Sequence, residues 1–305
     1  MVVPARVAVV GAGLMGHAIA WVMAAAGHPV RVHDPVEAAR DELADRLCAI
    51  DALMRRPRRA PVTVHDRLAD IATDADLVIE AAPEDAALKQ DILADLEGLV
   101  PAGCVLATNT SSISLSVIGM RMRDPSRLVG AHFWNPPHLV RLVEVVQGPT
   151  SRPEMVEWLI ALLQGVGHHP VHILKDIPGI VGNRLQHALK REAIALVAEG
   201  VCSAETVDDV VKLGFGQRLA VLGPLEQSDL VGLDLTLAIH RTLMADLDVT
   251  PGPHPLLERL VAEGKTGMAA GEGFREWTPE QAERVRQRLA EALRSAPPPA
   301  ADRSV

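Results

Sequence analysis

The sequence predicts a doubly wound α/β sheet followed by a C-terminal all-α domain. Three observations carry that expectation. Up to residue 180, short apolar runs alternate with helical patterns, the rhythm of a parallel sheet covered on both faces. A glycine-rich turn, GAGLMG, joins the first apolar run to the first helical one. From Val181 the pattern turns helical and stays so, with Gly and Pro interruptions, as far as Arg294. The chain of 305 residues is long enough for two cores. The reading divides it into residues 1–180, residues 181–295, and a proline-rich tail, 296–305, expected to be disordered.

The elements follow in order. Val7 to Val10 form the first strand, and His17 to Ala26 an Ala-rich helix. Pro29 to His33 form a second strand ending at Asp34, and residues 36–53 repeat Ala, Leu and Ile at helical spacing. RRPRRAPVT breaks that helix and reads as a surface loop. Asp76 to Ala81 is a buried strand, Glu84 to Leu99 a helix after Pro83, and Gly103 to Ala107 a strand ending at Asn109–Ser112. A helix at 152–165 and a strand at 170–174 complete the first domain, and the pattern changes at Pro178-Gly179.

Gly11, Gly13 and Gly16 fit the Rossmann-type fingerprint, in which each glycine has its own job. One makes the tight turn, one lets backbone approach a pyrophosphate, and one lets helix pack closely on strand. The helix N-terminus adds free N–H groups and a positive dipole end. Asp34, roughly 20 residues on, would accept from ribose hydroxyls and repel a 2′-phosphate, so NAD is expected rather than NADP. Neither Pro35 nor Val36 offers a guanidinium for that phosphate. The other reading is a glycine turn with no ligand.

AHFWNPPHLVRLVEVV, Ala131 to Val146, sets His132 and Glu144 across an Asn-Pro-Pro turn. A hairpin-like return would bring imidazole and carboxylate face to face. A carboxylate on one ring nitrogen fixes the tautomer, and the other nitrogen can then act as a base. Such a pair suits taking a proton from an alcohol while hydride leaves the same carbon. The alternative is a buried structural ion pair.

Composition excludes other classes. The formal charge of −9 argues against nucleic acid and anionic membrane as partners. The cluster Arg55, Arg56, Arg58 and Arg59 is a local exception, read as a solvated loop or an anion contact. Cys48, Cys104 and Cys202 form no CxxC pair, and no His/Cys/acidic group has metal-ligand spacing, so no metal is expected. His168, His169 and His172 read as surface histidines. No signal peptide opens the chain and no apolar run would span a bilayer, so the cytoplasm is the default expectation.

Taken together, GAGLMG, VIEAAPEDAALK, TNTSS, AHFWNPP with LVEVV, IPGIVGNRLQ and KTG with GEGF resemble the 3-hydroxyacyl-CoA dehydrogenase family, from about residue 5 to 278. The resemblance implies a Rossmann domain and a helical domain that forms a homodimer. It implies NAD as cofactor and a small 3-hydroxy substrate. His132 becomes the general base with Glu144 as its partner, and Ser111 and Asn183 hold the substrate oxygen or steady the base. Gly11, Gly13, Leu14, Met15, Gly16, Asp34, Ala81, Glu84, Lys89, Asn109 and Asn135 border the NAD.

Blander readings stand beside these. Ser111 could cap the helix after TNTSS, Asn183 could be a cap-region residue, and Lys89 could be a solvated lysine. Only a short stretch separates Asp34 from Glu80, so the arm that helps hold CoA looks shortened. The helical half is similar to relatives acting on free acids: L-gulonate 3-dehydrogenase with lambda-crystallin, carnitine dehydrogenase and pyridine-carboxylate dehydrogenases. Arg218 could pair with a substrate carboxylate or be a surface arginine. Trp134 could narrow the pocket or pack the core. A 3-hydroxyacyl-CoA type substrate, a free 3-hydroxy acid, and a non-catalytic NAD-binding protein of the crystallin kind are thus the three functional readings.

Overall fold

The computed structural model describes residues 4–295, which form two compact units, one running to Asn183 and including the last described residues from Leu293, and one from Arg184 to Ala292. The first unit contains β1 (Val7–Val10), α1 (Gly16–Ala26), β2 (Val30–His33), α2 (Glu37–Asp41), α3 (Leu43–Met54), β3 (Val62–His65), α4 (Leu68–Ala72) and β4 (Leu77–Glu80). It continues with α5 (Ala86–Leu99), β5 (Val105–Thr108), α6 (Leu115–Ile118), β6 (Leu128–Phe133), β7 (Leu142–Gln147), α7 (Pro153–Val166) and β8 (His169–Ile173). α8 (Gly182–Ala198) starts in this unit and runs into the second.

The strands make one 8-stranded sheet in the order β3-β2-β1-β4-β5-β6-β7-β8. Strands β1 to β6 run parallel, β7 turns back antiparallel to β6, and β8 runs parallel to β7. The sheet is therefore mixed at one end, where the alternating pattern alone predicts a parallel one. β1, β4 and β5 are buried on both faces, which is why they read as continuous apolar runs. Alternate residues feed two cores. Val7, Val9, Leu77, Ile79, Val105 and Ala107 pack with α1, α3 and α7, whereas Ala8, Val10, Val78 and Leu106 pack with α4, α5 and α6.

Local chemistry sets the helix ends. α1 stops at Gly27 and α7 at Gly167, both left-handed, and Asp85 caps α5 by accepting from Leu88 N–H. Three details correct the sequence reading. The helix expected over 36–53 is divided by a turn at Glu42 into α2 and α3. The end of the RRPRRAPVT segment enters β3, because the alternating Val62-Thr63-Val64 finds β2 as a parallel partner. The helix after NTSS begins only at Leu115, after Ser114, so Ser111 is not its cap.

The second unit is helical: α9 (Ala204–Leu213), α10 (Gly216–Leu219), α11 (Pro224–Val231), α12 (Leu233–Leu243), α13 (Pro255–Ala262) and most of α14 (Pro279–Ser295). Leu225, Leu230, Leu233, Leu235, Leu237 and Ile239 on α11 and α12 are largely exposed. Among the described residues no helix is long and apolar enough to cross a membrane. The tail expected to be disordered lies outside the described residues.

Candidate active site

β1 delivers the chain at the carboxyl edge of the sheet into Gly11, whose φ of 103° disfavours any side chain. A Cβ there would also lie 2.8 Å from the Ala81 carbonyl oxygen. At Gly16 a Cβ would lie 1.8 Å from the Gly11 oxygen, so α1 rests directly on the turn. Gly13 differs: nothing lies within 4 Å of where its Cβ would be. Two glycines are demanded by the protein's own packing, and the third leaves room beside the loop. Room next to helix-start N–H groups is what a pyrophosphate requires, so these residues fit a dinucleotide.

Leu14 is exposed on this loop, whereas Met15 packs against the α1 core. Asp34, nearly buried at the end of β2, ties the second strand to the loop. Its Oδ2 accepts from Ala12 N–H at 2.7 Å and its Oδ1 from Val36 N–H at 2.9 Å. A guanidinium does stand nearby, beyond the two positions the sequence reading considered. Arg40 Nη1 donates to the carbonyls of Asp34 and Pro35, at 2.9 Å and 3.0 Å.

Across β4 and β5 lies a polar cluster that sequence reasoning missed in part. Glu80 is fully buried. Its carboxylate accepts from Lys89 Nζ at 2.8 Å, Thr108 Oγ1 at 2.6 Å and Ala82 N–H at 2.6 Å. Lys89, expected to border the NAD, is buried too; its ammonium points inward, to Glu80, the Ala82 carbonyl at 3.1 Å and Glu84 Oε2 at 3.5 Å. The available signal was a glutamate ending an apolar strand and a lysine nine residues later.

Glu84 shapes the loop after β5. Its Oε1 accepts from Thr110 Oγ1 at 2.7 Å and from the N–H groups of Ser111 and Ser112, both at 2.9 Å. Burial pushes the Glu84 carboxyl upward, but the Thr110 and Ser112 bonds, the Lys89 charge and the Ser111 bond outweigh it and hold it below its usual range. Asn109 Oδ1 accepts from Phe133 N–H at 2.9 Å, fastening the loop to β6.

His132 and Glu144 are direct cross-strand partners in the β6–β7 pair, so the expected hairpin return is present. A cis Asn135–Pro136 bond lies in its turn, and Asn135 is exposed there. Both residues of the pair are buried, and His132 Nδ1 lies 2.9 Å from Glu144 Oε2. The same oxygen accepts from Trp134 Nε1 at 3.2 Å. The other, Oε1, accepts from the N–H groups of Val181 and Gly182 at the start of α8, at 3.1 Å and 3.0 Å. Burial pushes the Glu144 carboxyl upward, yet the bonds from His132, Gly182 and Val181 prevail and lower it. A carboxylate with four donors is ionised, and a histidine so paired presents Nε2 as its acceptor.

Asn183 sits in the first turn of α8 and its Nδ2 donates to the Ser111 carbonyl at 3.1 Å. The structure thus brings the loop of Ser111, the start of α8 and the His132–Glu144 pair together in one unit. Arg218 lies in the second unit, exposed on α10, with no ion pair among the described residues. Of the arginine cluster, Arg58 pairs with Asp51 at 3.0 Å and Arg56 Nη2 donates to the Ala25 carbonyl at 2.7 Å, so both brace the loop.

Residues 6–177 match the family model described as 3-hydroxyacyl-CoA dehydrogenase, NAD binding domain, and residues 179–277 match its C-terminal domain. The chain is 35% identical over 297 residues to 5-formyl-3-hydroxy-2-methylpyridine 4-carboxylate 5-dehydrogenase of Mesorhizobium japonicum, covering 93% of this chain and 96% of that one. A crystal structure of an enzyme of that name, described as an NAD+ dependent dismutase, superposes with a TM-score of 0.90 at 33% identity, over 96% of this chain and 97% of that chain. The (S)-3-hydroxybutyryl-CoA dehydrogenase of Ralstonia eutropha superposes with a TM-score of 0.73 at 30% identity, over 90% of this chain and 100% of that one. The chain belongs to the 3-hydroxyacyl-CoA dehydrogenase family and is an NAD-dependent oxidoreductase.

Proposed function

We propose that this oxidoreductase interconverts a 3-hydroxyacyl substrate of the CoA-thioester type and its 3-keto form, with His132 as base and Glu144 as its partner. The observation that supports the reading is the pair itself. Nδ1 of His132 is committed to a carboxylate that stays ionised, so Nε2 is the atom that takes the hydroxyl proton. NAD, when bound, supplies the nicotinamide ring that accepts the hydride from the same carbon. Glu144 stabilises the imidazolium without taking its proton, as the carboxylate of a serine-protease triad does. Proton transfer of this kind contributes roughly 10²–10⁴-fold.

The remaining roles follow from position. Gly11, Gly13, Leu14, Met15, Gly16, Asp34 and Ala81 would hold the adenine half of NAD, and Glu84, Asn109 and Asn135 the nicotinamide half, with Lys89 acting through Glu84. Ser111 and Asn183 would hold the substrate oxygen. Residues 1–180 would hold the cofactor and carry the proton-transfer pair, and 181–295 would add substrate contacts and form a homodimer. The exposed apolar side chains of α11 and α12 support self-association.

A free carboxylic acid is the second reading, favoured by the 0.90 superposition on a pyridine-carboxylate dehydrogenase, and Arg218 would then be the carboxylate's partner. The test is NADH formation with a panel of 3-hydroxyacyl-CoA thioesters, L-carnitine, L-gulonate and pyridine-based hydroxy acids. Turnover of thioesters alone supports the first reading, and turnover of free acids alone replaces it with the second. NAD binding without turnover of any panel member leaves a non-catalytic binder.

A further inference from the structure

Trp134 is the fourth donor on Glu144, and the pairing of His132 with Glu144 does not by itself require it. The indole is fixed twice. Its Nε1 reaches Oε2 at 3.2 Å, and its ring lies on the backbone of Gly182, where a Cβ would come within 2.2 Å of Trp134 Cζ2. The ring also stands edge-on to the His132 imidazole, with centroids 5.7 Å apart. Trp134 therefore touches the carboxylate, the imidazole and the glycine whose N–H holds the other carboxylate oxygen. A side chain that only filled space would have no need to aim its one polar atom at the oxygen His132 uses.

We infer that Trp134 is a positioning residue whose indole N–H shares Glu144 Oε2 with His132 Nδ1, tempering the carboxylate's hold on the imidazole and setting the pH at which His132 serves as base. This rests on the His132–Glu144 reading proposed above. The groups facing the pair are few. β7 supplies the Glu144 charge, α8 supplies the backbone N–H groups of Val181 and Gly182, the turn supplies Trp134, and Asn109, neutral, reaches Phe133 next to His132. Among the described residues, the only ionisable hydrogen-bond partner of either member of the pair is the other member. An oxygen that accepts from two N–H donors gives less to each, so removing the indole donor strengthens its bond to the imidazolium.

The experiment compares the full-length wild-type chain with Trp134→Phe and with Trp134→3-benzothienylalanine, an isostere that keeps the ring's shape and lacks the N–H. The imidazole titration of His132 is followed by ¹⁵N NMR, and the acid limb of the kcat/KM profile is measured beside it. We expect the midpoint to rise by about half a pH unit, roughly a threefold change in proton affinity, in both variants. The isostere separates the hydrogen bond from packing even if the Phe variant folds poorly. A midpoint that stays at the wild-type value in the isostere overturns the inference. Glu144→Gln distinguishes that failure from failure of the underlying reading. If Glu144→Gln lowers the midpoint and the isostere leaves it alone, only the role of Trp134 falls. If Glu144→Gln leaves it alone, the pairing itself fails and takes the role of Trp134 with it.

Discussion

Glu144→Gln keeps the shape of the side chain and removes its charge, so it separates a catalytic partner from a structural one. The wild-type carboxylate accepts from His132 Nδ1, Trp134 Nε1, Val181 N–H and Gly182 N–H. A glutamine has one acceptor oxygen and turns the other end into a donor. If its oxygen stays with α8, its NH₂ meets Trp134 and His132. The indole then loses its acceptor, and His132 must turn to the tautomer that places its proton on Nε2, the wrong one for a base. If the amide is reversed, the two α8 N–H groups lose theirs. Orphaning one or two buried donors costs about 1–3 kcal/mol each, so urea unfolding should show a loss of roughly 1–6 kcal/mol. The wrong tautomer or the missing charge should lower kcat about 10³–10⁴-fold in the NADH assay. The pH dependence supplies a second check. Glu144 is held below its usual range, so its contribution is present above the unfolded carboxyl's pKa and is lost as pH falls through the lower folded value. The stability gap between wild type and variant should therefore narrow below about pH 4. A variant that loses stability as expected but keeps turnover within tenfold would refute the catalytic role and leave a structural ion pair.

Other expectations follow from the same geometry. His132→Ala should lose at least roughly 10²-fold in turnover with NAD affinity, by calorimetry, nearly unchanged; retained turnover would remove it as the base. Gly13→Ala and Gly16→Ala should part company, because a Cβ meets nothing at the first and the Gly11 oxygen at the second. The first should keep its Tm and lose NAD affinity, and the second should lose Tm; a Gly13 variant that binds NAD as wild type does would contradict the loop assignment. Lys89→Met leaves Glu80 buried and unpaired, an expected loss of about 3–5 kcal/mol by denaturation, partly restored by adding Glu80→Gln. Asp34→Ala should weaken NAD and relax discrimination against NADP, since Arg40 already stands beside that turn. Unchanged Michaelis constants for both cofactors would show that Asp34 only braces the glycine loop.

Local pattern made much of this legible. The glycine turn, the strand ending at Asp34 and the His132–Glu144 hairpin all lie within short stretches whose period and turn residues carry the signal. What escaped depends on contacts between distant segments. β3 is a strand because β2 is beside it, and VTVH alone follows a basic loop too polar to announce it. Lys89 looks like a solvated lysine on a helix until β4 supplies Glu80 beneath it. Arg40 lay six residues past Asp34, outside the two positions a linear reading considers. Trp134 read as either pocket wall or core, and its aim at Glu144 appears only once α8 seats Gly182 against the ring.

The period-two code that builds the core also places the chemistry. On the face toward α4, α5 and α6, the rows read Val78 then Glu80 in β4, Leu106 then Thr108 in β5, and Leu128, Gly130 then His132 in β6. In each row apolar or small residues give way to a polar one at the carboxyl edge, where ligands bind in open α/β sheets. Register keeps these ends together, as the pairing of Glu80 with Thr108 shows. β7 reaches the same edge from the other direction, so Glu144 comes before Val146 in its row and still meets His132. A parallel strand there would need a long crossover, whereas the reversed one brings base and carboxylate together through a single turn. Gly130 lets the rows close, since a Cβ there would lie 2.8 Å from Val146 Cβ. A slip of one residue between β6 and β7 would send one member of the pair to the core under α7 and break the dyad, so core burial and catalytic register are fixed by the same side chains.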